Sequence, residues 1–90
     1  MTTVSRTIEV RNKRGLHARA SARFVTLAAQ LSASIEVEKD GSSVCGTSIM
    51  GLMMLGAAMG DTITISAIGD NAEDAVEQLA ALVEARFGED

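Results

Sequence analysis

Two periodicities of apolar residues alternate along this chain and constrain its fold more than any other feature. Four segments alternate apolar and polar residues with a period of two, among them residues 4–10 and 62–68, as half-buried strands do. Arg6 is the one charged residue on the inward side of the first strand. Three other segments have the 3.6-residue spacing or the cap residues of helices. The order predicts an α+β fold, β-α-β-β-α-β-α, with a four-stranded antiparallel sheet whose polar face needs no cover.

Cap and turn residues predict where the elements begin and end. We expect helices from about 17 to 30, from Ile49 to about Leu55 and from Asn71 to Gly88. Ser48 is the expected N-cap of the second helix, and Asn71, with Asp74 three residues on, is the expected N-cap of the third. The pair Asp40-Gly41 predicts a two-residue hairpin turn into a short strand that continues through Val44.

Composition excludes several classes of function. Ninety residues, 47% hydrophobic and 22% charged, suit a single small domain over residues 1–90. Two Phe without Trp or Tyr exclude a stacking platform, so we expect no nucleic-acid partner. One cysteine excludes an internal disulfide and a cysteine-clustered zinc site, so we expect no metal and expect Cys45 to pack as a small apolar residue. No apolar run is long enough to span a membrane and residues 1–4 start no leader, so we expect a cytoplasmic protein.

The charge is unevenly distributed along the chain. Residues 1–23 carry six basic side chains and one acid, whereas residues 24–90 carry two basic side chains and eleven acids. The net charge of −4 therefore conceals a basic N-terminal segment. Such a segment on an acidic protein predicts a local site for an anion or an acidic partner.

The segment Gly15-Leu16-His17-Ala18-Arg19 places the only histidine where a glycine turn enters a helix. Helix N-termini have unpaired backbone N–H groups and a partial positive charge, which stabilise an anion and disfavour a protonated imidazole. A phosphoryl group on His17 could therefore be held by the first-turn amides and by the Arg19 guanidinium. The alternative is a surface histidine near an N-cap with no function.

The short helix that follows Ser48 has more apolar residues than it can bury. At 100° per residue Leu52 and Leu55 share one side, and the methionines of the helix lie opposite. Exposed methionines form adaptable contact surfaces, although these residues could equally complete a core that has few aromatics. Gly51 inside the helix could permit close approach of a partner backbone.

These two segments together resemble the HPr family, the histidine-containing phosphocarriers of the bacterial phosphoenolpyruvate-dependent phosphotransferase system. The resemblance rests on Gly15-Leu16-His17-Ala18-Arg19-Ala20 and, about thirty residues later, Ser48-Ile49-Met50-Gly51-Leu52. It covers essentially the whole chain. It implies an open-faced β-sandwich, in which three helices cover one face of the four-stranded antiparallel sheet.

The resemblance also implies roles for individual residues. His17 would accept a phosphoryl group on Nδ1 from enzyme I and pass it to a histidine of an enzyme IIA component. Arg19 matches the active-site arginine, and the amides of Ala18 and Arg19 would contact the phosphoryl oxygens. Ser48 matches the regulatory serine, the target of HPr kinase/phosphorylase. Such a protein is a covalent carrier that needs no cofactor and is not itself an enzyme.

By the same resemblance, a basic and apolar surface would contact the partner proteins. Its expected residues are Arg14, Ala18, Arg23, Ile49, Met50, Gly51, Met53 and Met54. We expect the carrier itself to be a monomer. Ala20 stands where many members have proline, and Thr47 stands where Lys or Arg often precedes the regulatory serine.

Three interpretations of the function follow from the sequence. The first is phosphoryl carriage at His17, for sugar uptake or for nitrogen and metabolic regulation. The Met-rich face and the acidic C-terminus resemble the nitrogen-type branch, NPr. That branch acts on regulated enzymes such as those of the stringent response. The second is a regulatory module that docks through its methionines without phosphate. The third is an unrelated α+β domain that binds a free anion.

Overall fold

The computed structural model describes residues 3–89, and within them it has the predicted order of elements. The strands are β1 (Thr3–Glu9), β2 (Ser34–Lys39), β3 (Ser42–Cys45) and β4 (Thr62–Ile68), and the helices are α1 (Ala18–Ala29), α2 (Ile49–Met54) and α3 (Ala72–Glu84). Residues 1, 2 and 90 of the expected domain lie outside the described part. Residues 1 and 2 are also half of the segment 1–4, on which the expected absence of a leader was based. None of the helices in residues 3–89 has the length and apolarity that a membrane crossing requires.

The four strands form one antiparallel sheet in the order β1-β4-β2-β3. The residues that face the helices are buried, among them Ile8, Val37 and Ile65. The opposite face is polar, and hydroxyl pairs cross it between β1 and β4: Ser5 with Ser66 at 2.9 Å and Thr7 with Thr64 at 3.0 Å. The predicted open-faced sandwich is confirmed, because the strands alternate between an apolar and a polar face.

The core lies between this sheet and the inner faces of α1 and α3. Its fully buried members include both phenylalanines, Phe24 and Phe87. Arg6, the charged exception on β1, stays half-exposed at the rim of this layer. Its guanidinium lies 3.0 Å from a carboxylate oxygen of Glu77 and 3.6 Å from one of Glu84, both on α3. The carboxylates of α3 thus explain why a charge is tolerated at this position.

The third helix differs from the prediction at both ends. Asn71 precedes the helix, but its backbone is left-handed, with φ 57°, and its side chain makes no capping hydrogen bond. A residue that caps a helix with its side chain normally has an extended backbone. Asn71 therefore occupies the predicted N-cap position, but the prediction that its side chain caps the helix is wrong. The α-helix ends at Glu84 instead of Gly88, and a tight turn of residues with positive φ, Arg86–Gly88, follows it.

The hairpin between β2 and β3 and the edge strand β3 test two further predictions. The hairpin at Asp40-Gly41 is confirmed, and both residues have the positive φ, 51° and 85°, that such a turn requires. The predicted packing of Cys45 is wrong: the thiol is exposed, because the register of edge strand β3 puts Cys45 opposite Glu36 on the polar face. A hydrogen bond with the Thr47 hydroxyl lowers the pKa of this thiol.

A close backbone contact joins the turn before α1 to the segment after α2. Gly15 has φ +63°, and a Cβ on it would collide with the carbonyl oxygen of Ala57 and lie 2.9 Å from the Cα of Ala58. The absence of that Cβ lets the Leu16 amide donate to the Ala57 carbonyl at 2.9 Å. Both a left-handed backbone and a lack of space therefore require glycine here.

We expect Gly15→Ala to destabilise the protein by about 2–5 kcal/mol, since the left-handed conformation and the overpacking each contribute. Gly56 is a matched control: its φ is +65° and nothing lies within 4 Å of the added Cβ. Gly56→Ala should therefore cost only about 1–2 kcal/mol. Chemical denaturation of both variants measures the difference, and equal losses would contradict the role given to the Ala57 contact.

Candidate functional site

His17 is the N-cap residue of α1. Its backbone is extended, with φ −76° and ψ 179°, and its Nδ1 accepts a hydrogen bond from the amide of Arg19 at 3.3 Å. The side chain is 14% exposed. Ser21, buried one turn on, donates its hydroxyl hydrogen to the Leu16 carbonyl at 3.2 Å and fixes the turn that leads into the helix. The predicted position of His17 at a helix N-terminus is confirmed, and Nδ1 is the nitrogen that faces the first-turn amides.

The other ring nitrogen of His17 meets a carboxylate from the far end of the chain. Nε2 lies 2.5 Å from Oε2 of Glu89. The second oxygen of Glu89, Oε1, accepts from the side-chain amide of Asn12 at 2.9 Å, and the same amide donates to the Gly15 carbonyl at 2.8 Å. Asn12 is fully buried. Sequence reasoning missed both Asn12 and Glu89, since 72 positions separate Glu89 from His17 and no local pattern connects them.

Basic side chains surround this pair. A polar hollow of about 370 Å³ on the Glu89 side of the pair is lined by Lys13, Arg14, Arg19, Arg23, Gly88 and Glu89. The hydrogen bond from Asn12, reinforced by His17 and the charge of Arg14, holds the pKa of the Glu89 carboxyl below its usual value. Glu89 is therefore a carboxylate at neutral pH, in a hollow whose other charged side chains are all cations. The sequence predicted a local basic site, and the structure brings four of its cations together.

The second predicted site, on α2, has the expected cap. The Ser48 hydroxyl accepts from the Gly51 amide at 2.9 Å. A Cβ on Gly51 would be tight against the chain itself, 3.1 Å from Cβ of Val44 and 3.0 Å from Oγ of Ser48. Approach of a partner backbone at Gly51 stays a prediction.

The apolar residues of α2 divide as predicted. Leu52 is fully buried, whereas the opposite side exposes Ile49, Met50, Met53 and Met54, with Met54 at 80%. The structure thus excludes the alternative in which these methionines complete the core. Met59, in the segment after α2, is also exposed and was missed because it lies outside the helical pattern. We refer to Ile49, Met50, Met53 and Met54 as the methionine face.

The family model described as "PTS HPr component phosphorylation site" matches residues 4–85. The chain belongs to the HPr family. Proteins of this family are phosphoryl carriers of the phosphotransferase system, not catalysts, and they work with other proteins of that system. Within residues 3–89, no three His, Cys, Asp or Glu side chains are grouped so that they could hold a metal ion.

Curated relatives carry the names of both branches. The chain is 44% identical over 78 residues to phosphocarrier protein HPr of Cupriavidus necator, a match that covers 87% of this chain and 88% of the relative. It is 38% identical over 89 residues to phosphocarrier protein NPr of Shewanella violacea, covering 99% and 98%. These matches support the HPr family and favour neither branch strongly.

Solved structures support the fold independently. HPr of Thermoanaerobacter tengcongensis superimposes with a TM-score of 0.90 at 48% identity, covering 100% of this chain and 99% of the other. An HPr dimer from the same organism matches with a TM-score of 0.76 at 49% identity, covering 91% and 94%. A related HPr is therefore known as a dimer, and the monomeric state expected for this chain stays a prediction.

We expect Ser48→Ala to destabilise the protein by about 1 kcal/mol, because the Gly51 amide loses its acceptor. Ser48→Asp keeps an acceptor at the N-cap and should stay within a few tenths of a kcal/mol of the wild type. Urea denaturation at neutral pH compares the two variants. If both lose the same stability, the hydroxyl of Ser48 does not act as a cap.

Proposed function

We propose that this protein carries a phosphoryl group on Nδ1 of His17, accepted from phosphorylated enzyme I and passed to a histidine of an enzyme IIA component. We place it in the cytoplasm as a monomer. The observation that carries the proposal is that the two ring nitrogens of His17 have different hydrogen-bond partners. Nε2 is occupied by Glu89, and Nδ1 lies at the N-terminus of a helix, where an anion is stabilised.

The transfer itself requires little from this chain. As the new P–Nδ1 bond forms, the P–N bond to the histidine of the donor breaks, and the electron pair returns to that nitrogen. Once the lone pair of Nδ1 holds phosphorus, the Arg19 amide loses its present acceptor. That amide and the neighbouring amide of Ala18 are then free to donate to phosphoryl oxygens, and the guanidinium of Arg19 screens their charge.

Ser48 is the proposed site of regulation, as the target of an HPr kinase/phosphorylase. Ser48 is the N-cap of α2 and directly precedes Ile49 and Met50 of the methionine face in the chain. A phosphate there adds about two negative charges next to an apolar contact surface and disfavours docking through desolvation. We propose that the methionine face, together with Arg14, Ala18, Arg23 and Gly51, contacts enzyme I and enzyme IIA, or an enzyme of nitrogen, metabolic or stringent-response regulation.

We expect His17→Gln to abolish phosphoryl uptake while the fold is retained, because glutamine offers no nucleophilic ring nitrogen. The test incubates each protein with enzyme I from the same source and labelled phosphoenolpyruvate. Label on the wild type should be labile in acid and stable in alkali. The chain has one histidine, so equal labelling of the variant would place the acceptor on another residue.

A phosphate-independent docking module is the second candidate, and the exposure of the methionine face favours it. Such a module would bind its partner equally well before and after phosphorylation. It would also need neither the histidine nor the surrounding cations. Wild-type protein that takes no label from a competent enzyme I, yet binds partners through this face, would support this candidate over the carrier.

We expect Met53→Glu to weaken binding to enzyme I about tenfold or more, equivalent to about 1.4 kcal/mol, because a charge must be desolvated in the contact. Ile68→Glu is the control: Ile68 is 39% exposed, close to the 42% of Met53, but lies on the polar face of the sheet. Titration calorimetry measures both affinities. Equal effects, or a loss of several kcal/mol in folding stability for Met53→Glu, would refute this interface.

A further inference from the structure

The last residues of the described chain form a turn held in place by its surroundings. Arg86, Phe87 and Gly88 have successive positive φ values of 58°, 55° and 76°. Two consecutive residues other than glycine in this region carry strain, which persists only where contacts fix the conformation. Here Phe87 is fully buried, and the guanidinium of Arg23 donates to its carbonyl at 2.7 Å. The turn therefore delivers Glu89 to one fixed place.

That place is against His17, and both carboxylate oxygens are used there. One accepts from buried Asn12, and the other lies against Nε2 of His17. The Glu89 side chain is only 20% exposed. Because Asn12 is itself held by the Gly15 carbonyl, the carboxylate is connected to the turn that precedes α1 and cannot rotate without losing a hydrogen bond.

The chemistry of this contact determines where the imidazole carries its proton. An ionised carboxylate only accepts hydrogen bonds, so Nε2 must be the donor. A neutral imidazole has one N–H, and Nδ1 is then left with its lone pair. Nδ1 is the nitrogen that accepts from the Arg19 amide, so both contacts of the ring require the same tautomer.

We propose that Glu89 is a positioning residue for His17: its carboxylate, oriented by Asn12, holds the proton on Nε2 and leaves Nδ1 as the nucleophile. This inference deepens the proposed function and rests on it for its consequence. When phosphorus binds Nδ1, the same carboxylate continues to accept from Nε2–H and stabilises positive charge on the ring. The charged groups that line the same hollow as this carboxylate are Lys13 and Arg14 from the turn before α1 and Arg19 and Arg23 from α1.

The first test uses the wild-type protein without any partner. Nitrogen-15 NMR of the unphosphorylated protein, at a pH where the imidazole is neutral, should show a proton bonded to Nε2 and none on Nδ1. A proton on Nδ1 would overturn the proposal. This measurement is independent of phosphoryl transfer and of any variant, so it distinguishes failure of this inference from failure of the proposed function.

The second test compares Glu89→Gln with Glu36→Gln, which makes the same change in net charge on the polar face of the sheet. The amide introduced by Glu89→Gln has one acceptor oxygen for the two donors that the carboxylate serves, so we expect a mixture of tautomers. We also expect a maximal rate of phosphoryl uptake from enzyme I about tenfold lower, with an unchanged half-saturating concentration. Glu36→Gln should match the wild type in both measurements.

The outcomes separate cleanly. If Glu89→Gln keeps the wild-type tautomer and rate, Glu89 only closes the C-terminal turn and the proposal is wrong. A raised half-saturating concentration at an unchanged maximal rate would instead place Glu89 in docking, and would also overturn it. If the tautomers change as expected but the wild type takes no phosphoryl group, the placement of the proton stands and the proposed function fails.

Discussion

The candidate site depends on a backbone contact that a side chain at position 15 would prevent. The Ala57 carbonyl reaches the Leu16 amide only because Gly15 has no Cβ, and this fixes the turn into α1 against the segment that follows α2. Two further backbone bonds join the same regions: Val10 donates to Asp61, and Gly60 donates to Val10, each at 2.8 Å. The β1–α1 and α2–β4 connections are thus hydrogen-bonded to each other. The first connection ends at His17, and the second begins where α2, with its methionine face, ends.

Most of the fold could be predicted because periodicity is a local property. Alternation in β1 and β4 and the 3.6-residue spacing in α1 are present in the residues themselves, and tertiary packing agrees with them. The failures lie at the ends of elements. The left-handed backbone of Asn71 follows a turn that begins at Gly69, with φ 117°, so a favourable cap residue was placed where its side chain does not cap. Cys45 is a different case, because continuing the alternation of β3 past Val44 would have placed it on the polar face.

The site divides in the same way. The positions of His17, Arg19 and Ser48 could be predicted because each residue lies within a few residues of a helix start. The contacts of Asn12 and Glu89 could not be predicted, because they form only when the folded chain brings Glu89 against Asn12 and His17. Glu89 reaches His17 through a turn whose backbone angles are unfavourable for Arg86 and Phe87, and the burial of Phe87 and its hydrogen bond from Arg23 hold that turn. No property of the C-terminal residues by themselves predicts this.

A carboxylate next to the proposed phosphoryl acceptor presents an electrostatic difficulty that the charge distribution resolves. Glu89 repels an incoming phosphoryl group. This repulsion would dominate if the net charge of −4 were spread evenly over the chain. Four cations line the hollow that contains it, however, so the local charge is positive even with Glu89 ionised. The other acids of the described chain lie outside that lining. Under the proposed function, the basic N-terminal segment therefore has two tasks: it compensates the charge of the Glu89 carboxylate, and it retains enough positive charge to attract a phosphoryl group.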